Sequence, residues 1–261
     1  MKICFLGSGT SQGVPVIGKQ YPDDFLANPK NHRLRPAIYL ETEQVKIVVD
    51  TPPEFRIQCL RENICALDAV LITHPHADHM MGLDDCRRFC DMMGDKPLPI
   101  YASQSTMDVL KNVFFYAFKE GSHPHGYFVP EPHIVDKPFQ IGDLTIRPEF
   151  LIHGRFISTG YLFIQNGIKK LAYLTDCKIV PDEVIEDVKG CELLIIDGLR
   201  HRLHPTHLSL QEALNVSEKI QPKTTYLTHL THSYDHDRDE ALITQEHPTV
   251  HLSYDGLWLT L

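Results

Sequence analysis

The chain of 261 residues contains no run of about 18 apolar residues, so a hydrophobic helical membrane span is not expected. None of its seven cysteines form a Cys-x-x-Cys pair, and the number is odd. Most sit in apolar patterns, as in Ile3-Cys4-Phe5 and Ile64-Cys65-Ala66. Reduced core thiols in a cytosolic protein are expected rather than disulfides. No long Lys/Arg run is present, and the net charge is −9 with histidines neutral. The basic face of a protein that lives on long nucleic acid is therefore missing, and no nucleic-acid partner is expected. The opening MKICFLGSGTSQG has one lysine and a short apolar run before glycine. It reads as a first β-strand and not as a secretory leader. Low-complexity segments and clear internal repeats are lacking too.

What the chain has in excess is histidine, 16 in all, and it is clustered. Residues 71–82 read LITHPHADHMMG and place His74, His76, Asp78 and His79 directly after an apolar run. A core would not tolerate so many unpaired polar groups, each costing a few kcal/mol. Pro75 argues against a continuous helix there. Residues 74 and 76 can then face one point while 78 and 79 reach a neighbouring one. Imidazole together with carboxylate suits Zn, Mn or Fe and not Ca.

Apolar patterning predicts strands over 2–6, 37–42, 45–50, 69–72, 144–152, 160–165, 170–174, 192–196 and 224–227, with others near Val250 and Trp258. Helices are expected over 53–62, opened by Pro52-Pro53, and over 82–92, 103–119, 181–188 and 209–220. In the last of these Ser209 and Glu212 form a capping box, and Pro222 ends the run. The proline-rich segment 121–138, with His123, His125 and His133, reads as a loop or lid beside a pocket. This order predicts an α/β fold of two β-rich halves with helices outside, one domain over residues 1–261 without a linker.

Four strands share one grammar: each ends on a coordinating residue. They end at His74, His153, Asp176 and His229. Alone, each has an ordinary reading as a surface histidine or a turn aspartate. Together with the opening loop they provide seven donors on rigid strands, enough for two metal ions with open positions. Asp50 ends the 45–49 strand and reads either as a partner of a metal-binding histidine or as a turn residue.

The run His74-Pro75-His76-Ala77-Asp78-His79 resembles the H-x-H-x-D-H signature of the metallo-β-lactamase fold hydrolases. His153, Asp176 and His229 match that family's remaining ligands in order and type across nearly the whole chain. The resemblance implies a four-layer αββα sandwich with a dinuclear site at one edge of its paired sheets. It implies one metal held by His74, His76 and His153, a second by Asp78, His79 and His229, and Asp176 bridging. The cofactors would be two divalent ions, Zn or Mn. Such a pair, roughly 3.5–4 Å apart, shares a water and lowers its pKa towards about 7, giving a bridging hydroxide.

A narrower similarity lies in GSGTSQGVP at 7–15, Gly160-Tyr161-Leu162 and Leu227-Thr228-His229. These resemble the phosphodiesterase branch acting on phosphoribosyl 1,2-cyclic phosphate. His207 falls where that branch has an active-site histidine, and it joins Asp78 as a candidate catalytic residue, for phosphate binding or general acid work. The glycine loop is expected to shape the wall of the site without touching substrate. That branch commonly carries cysteines after G-V-P that help bind a structural zinc. Here residues 18–22 read GKQYP, with no cysteine between Cys4 and Cys59 although His232 remains, so no structural zinc is expected.

The expectation is a cytoplasmic dinuclear phosphodiesterase for a small phosphodiester such as phosphoribosyl 1,2-cyclic phosphate or a cyclic nucleotide. The family resemblance suggests a homodimer. Rival readings are a tRNA 3′-processing endonuclease, a thioester or lactone hydrolase of the same fold, and a metal-binding sensor without catalysis.

Overall fold

A computed structural model describes residues 1–119, 121 and 125–261. Its first sheet is built from β1 (Lys2–Gly7), β2 (Ala37–Glu41), β3 (Lys46–Val49), β4 (Ala69–Leu71), β5 (Leu98–Ala102) and β6 (Pro130–Ile134). Its second holds β7 (Phe139–Ile141), β8 (Leu144–His153), β9 (Phe156–Gln165), β10 (Ile168–Leu174), β11 (Leu193–Asp197), β12 (Thr224–Thr228) and β13 (Val250–Leu252). The last strand, β14 (Trp258–Thr260), returns to the first sheet and pairs with β1. Spatial order is β14-β1-β2-β3-β4-β5-β6 in one sheet and β13-β12-β11-β10-β9-β8-β7 in the other. Each sheet starts as an antiparallel meander and continues as parallel strands, from β3 to β6 and from β10 to β13.

The side-chain alternation of strands explains the layers. In β1, Ile3 and Phe5 point inward to a core shared with Tyr161, Phe163, Leu171 and Tyr173 of the second sheet. Cys4 and Leu6 point outward beneath α1 (Phe55–Arg61), α3 (Arg87–Met92) and α4 (Gln104–Val113). On the far side Ala172, Leu174, Leu194 and Ile196 pack under α5 (Asp182–Val188), α6 (Leu210–Ile220) and α7 (His236–Glu246). Both sheets are thus apolar on two faces, which is why their strands read as unbroken hydrophobic runs. The αββα sandwich expected from the sequence is the observed fold.

Several elements differ from the sequence reading. The 121–138 segment is not all loop, since Pro130–Ile134 forms β6, parallel to β5. Prolines 130 and 132 are tolerated because β6 is an edge strand, where a missing N–H can face away from the sheet. The helix expected over 103–119 stops at Val113, and α7 and β7 were not expected at all. Helix α7 buries His236, Asp239 and Ile243 and is secured by Asp235, whose side chain accepts from the Arg238 N–H. An apolar stripe is absent, so periodicity could not reveal it. Of the cysteines, six are buried free thiols and Cys65 is exposed.

Candidate metal centre

The expected donors converge on one edge, at the carboxyl ends of strands. His74 follows β4, and the short helix α2 (Ala77–Met80) carries Asp78 and His79 behind it. His153 ends β8, while Asp176 and His229 follow β10 and β12. The first sheet therefore delivers four donors and the second three. Asp176 lies between them with its two oxygens turned to different groups. Its Oδ2 is 3.7 Å from His74 Nε2 and 4.0 Å from His153 Nε2. Its Oδ1 is 3.3 Å from both His79 Nε2 and His229 Nε2. Asp78 Oδ2 completes the second group at 3.4 Å from His79 Nε2 and 3.5 Å from His229 Nε2. His76 completes the first, with Nδ1 2.9 Å from His74 Nε2.

These spacings suit metal ligation. Two nitrogens about 2.1 Å from one tetrahedral ion lie about 3.4 Å apart. The buried Nε2 atoms of His79 and His229 have no hydrogen-bond partner, a costly condition for a polar atom unless something else meets it. Tautomers are set from behind: His79 Nδ1 donates to Asp50 Oδ2 at 2.7 Å, and His153 Nδ1 donates to the Thr206 carbonyl at 2.8 Å. Each donation leaves the Nε2 lone pair facing the cluster. Burial pushes the His74, His76 and His153 pKa values down, which keeps these imidazoles in the neutral, ligating form. Burial also works against charge on Asp78 and Asp176, but the surrounding histidines hold both below the usual carboxylate range. His79 moves the other way: despite burial, Asp176, Asp78 and Asp50 lift it well above its ordinary value. Three buried carboxylates around one point are an environment that favours cations. The residues present fit a pair of divalent ions.

The support of this edge is visible in the backbone. Asp50 is fully buried and also accepts from the Thr73 N–H at 2.8 Å. Gly82 lets α2 approach the Asp50 turn, since a Cβ there would lie 2.1 Å from the Pro52 carbonyl oxygen. Tyr161, from the second sheet, donates to the Ile72 carbonyl of the first at 2.9 Å, which gives the tyrosine of the Gly160-Tyr161-Leu162 motif a role in joining the two sheets. In the glycine loop the N–H groups of Ser8, Gly9, Thr10 and Gly13 are taken by Asp255, Leu34, Leu230 and Thr10. They are not free to cradle a phosphate; the loop braces Leu230, next to His229.

His207 sits at this centre as well. Its ring is stacked on His229 with centroids 4.7 Å apart, and its Nδ1 donates to Asp197 Oδ2 at 2.6 Å. Burial opposes the charged form, but the Asp197 carboxylate prevails and lifts the pKa to about 9. Asp197 escaped the sequence reading, although it obeys the same grammar, as the residue on which the apolar strand β11 ends. His204 lies beside His207, with ring centroids 5.1 Å apart, but the described histidines of the proline-rich segment stand elsewhere. His125 bonds Asp95, His133 stacks on Tyr101 beside Glu131, and His123 lies outside the described residues. His232 lies against the edge of the Tyr21 ring near Lys19, not among thiolates.

A family model described as a beta-lactamase superfamily domain matches residues 45–230. The chain belongs to that superfamily. It superposes on a diphosphatase from the PhnP family with a TM-score of 0.88 at 36% identity, covering 99% of this chain and 96% of that one. Zn(2+)-bound PqqB from Methylobacterium extorquens superposes with a TM-score of 0.82 at 17% identity, covering 100% of both chains, and is similar in fold. A Porphyromonas gingivalis protein named octanoyltransferase is 37% identical across 98% of this chain. The chain spans only 51% of that protein's length. Ribonuclease Z of Methanopyrus kandleri is 25% identical, covering 88% of this chain and 93% of its own. As a superfamily member with this donor set, the chain is a metal-dependent hydrolase of metallo-β-lactamase fold, and its histidine–aspartate clusters are its candidate divalent-metal sites. None of its described helices is long and apolar enough to cross a membrane.

Proposed function

We propose that this hydrolase cleaves a small phosphodiester, such as a cyclic ribose phosphate or cyclic nucleotide, at two divalent ions, Zn or Mn. The carrying observation is Asp176, whose two oxygens face two separate donor groups from the middle of the site. The likeness to a diphosphatase at 36% identity supports phosphorus chemistry. In this reading His74, His76 and His153 would hold one ion, Asp78, His79 and His229 the other, and Asp176 would serve both.

When bound, such a pair supplies an activated water and positive charge for a phosphodiester's developing negative charge. The chain's own residues do the rest. Asp50 and the Thr206 carbonyl orient His79 and His153 through their Nδ1–H groups. Asp197 holds His207 by Nδ1, leaving Nε2–H of the imidazolium to donate to a phosphoryl oxygen or to the departing alkoxide. Phosphoryl transfer asks mainly for positioning and electrostatics, and this equipment meets that need.

The test is metal content and hydrolysis of bis-p-nitrophenyl phosphate on one preparation. About two metals per chain are expected, with turnover lost in Asp78→Ala. His207→Ala should keep both metals and lose about 100-fold in kcat, the scale of one general acid. Metal without phosphodiester turnover would overturn the reading, and metal without turnover of any ester would favour the metal-binding sensor. Salt-sensitive cleavage of precursor tRNA at its 3′ side would favour the endonuclease instead.

A second reading follows from the relative named octanoyltransferase: the same centre hydrolyses an acyl thioester or ester. Turnover of octanoyl thioesters in place of phosphodiesters would establish it.

A further inference from the structure

The hairpin joining β8 to β9 turns within two residues, Gly154 and Arg155, and pairs His153 directly with Phe156. Gly154 takes the turn at φ +62, a backbone region open to glycine. Side chains directly opposite one another on paired strands project from the same face. Phe156 must therefore stand on the face from which His153 reaches the metal centre. The ring positions agree. Phe156 lies 5.3 Å from His76, nearly perpendicular to it, and His76 lies 5.1 Å from His153. Yet Phe156 is 55% exposed.

What sets this exposed aromatic side chain apart from others on the surface is its place beside the donor His76, where a bound molecule can cover it. The backbone that carries it is fixed firmly. Strands β8 and β9 pair along their full ten residues, and the Gly154 turn is pressed against Thr206, whose Cγ2 would lie 2.6 Å from a Cβ at 154. A ring on a rigid hairpin, more than half exposed and lying against His76, itself one of the seven donors, is a platform for a second flat ring.

We infer that Phe156 stacks on a planar ring of the substrate, so that the preferred phosphodiesters are those of nucleosides rather than of a bare sugar. The inference rests on the phosphodiesterase reading and narrows its substrate class. It makes Phe156 a specificity residue, acting on binding and not on the bond-breaking step.

Two cyclic esters that differ only in the base give the test: adenosine 2′,3′-cyclic phosphate and methyl riboside 2′,3′-cyclic phosphate, with the metal-loaded protein. The wild type should prefer the adenine-bearing ester. In Phe156→Ala and Phe156→Leu the ratio of the two kcat/KM values should fall about tenfold, through the KM of the adenine-bearing ester; Phe156→Trp should retain it. The circular dichroism and metal content of each variant control for folding and loading. A wild type without preference, or a preference that survives Phe156→Ala, would overturn the stacking role and leave the phosphodiesterase reading standing. No turnover of either ester would sink both, the reaction class first.

Discussion

Asp50, Asp176 and His229 adopt left-handed backbone angles, with φ of +67, +52 and +60. Left-handed residues without glycine are uncommon, and where they cluster the surrounding structure must impose them. Here each sits just past the end of a parallel strand, where the chain turns abruptly so that a side chain can face the centre. Asp50 shows what one such residue controls. It bonds His79 Nδ1, the nitrogen opposite the Nε2 that faces the donor cluster, so Asp50→Asn should leave the fold intact and weaken metal affinity about 10- to 100-fold. Competition with a chromophoric chelator measures this, and unaltered affinity would reduce Asp50 to a turn residue. At this scale the sequence was highly legible, because a strand that ends in His or Asp can be seen without coordinates. His74, His153, Asp176 and His229, which the structure brings together, were all read that way. Asp197 was missed because it lies far from any other donor in sequence and its significance depends on His207 ten residues later.

Among the elements, β8 bears on both the site and stability. It ends in His153, and four residues earlier it buries Glu149, which is 3% exposed. Burial pushes the Glu149 carboxyl up to about 7, only partly offset by Arg147, whose Nε is 3.2 Å away. Between its unfolded value, about 4.3, and 7 the folded chain retains a proton that the unfolded chain releases. Stability is therefore lost as pH rises through that window, and the full penalty acts above it. Glu149→Gln removes the titration. It should be neutral to slightly costly at pH 5 and more stable than the wild type by about 2 kcal/mol at pH 8. Urea unfolding of both proteins at the two pH values, with metal in excess, checks this; a pH-independent difference would refute it. Elements were legible where their physics is local. The 209–220 expectation matches α6 because Glu212 accepts from the Ser209 N–H and Oγ–H, at 2.9 and 2.8 Å. Strand β6 depends on a partner, β5, some thirty residues upstream, and helix α7 rests on polar anchors. Neither leaves a periodic trace.

On the scale of the whole molecule, the buried donors make folding and metal binding one equilibrium. Without cations, the buried Nε2 atoms of His79 and His229 have no partner, and ions that bind only the folded chain stabilise it by mass action, about 4 kcal/mol at a thousand times Kd. Chelator-treated protein should therefore melt several degrees lower than the metal-loaded form and recover on adding Zn or Mn. Equal melting temperatures would mean that the donor cluster binds nothing tightly. The layered plan itself was readable, since a chain with apolar strands on both sides of a central break, and amphipathic helices after them, has few other ways to bury its surface. The division of the donors between the two sheets, four from one and three from the other, carries a mechanical meaning. A pair of ions held across that seam would act as a rivet, and the alignment of one sheet on its neighbour would be gauged against fixed bond lengths. Sliding the layers past each other by an ångström would break both coordination spheres at once, so the interior that keeps this protein folded is also the jig that keeps its chemistry in register.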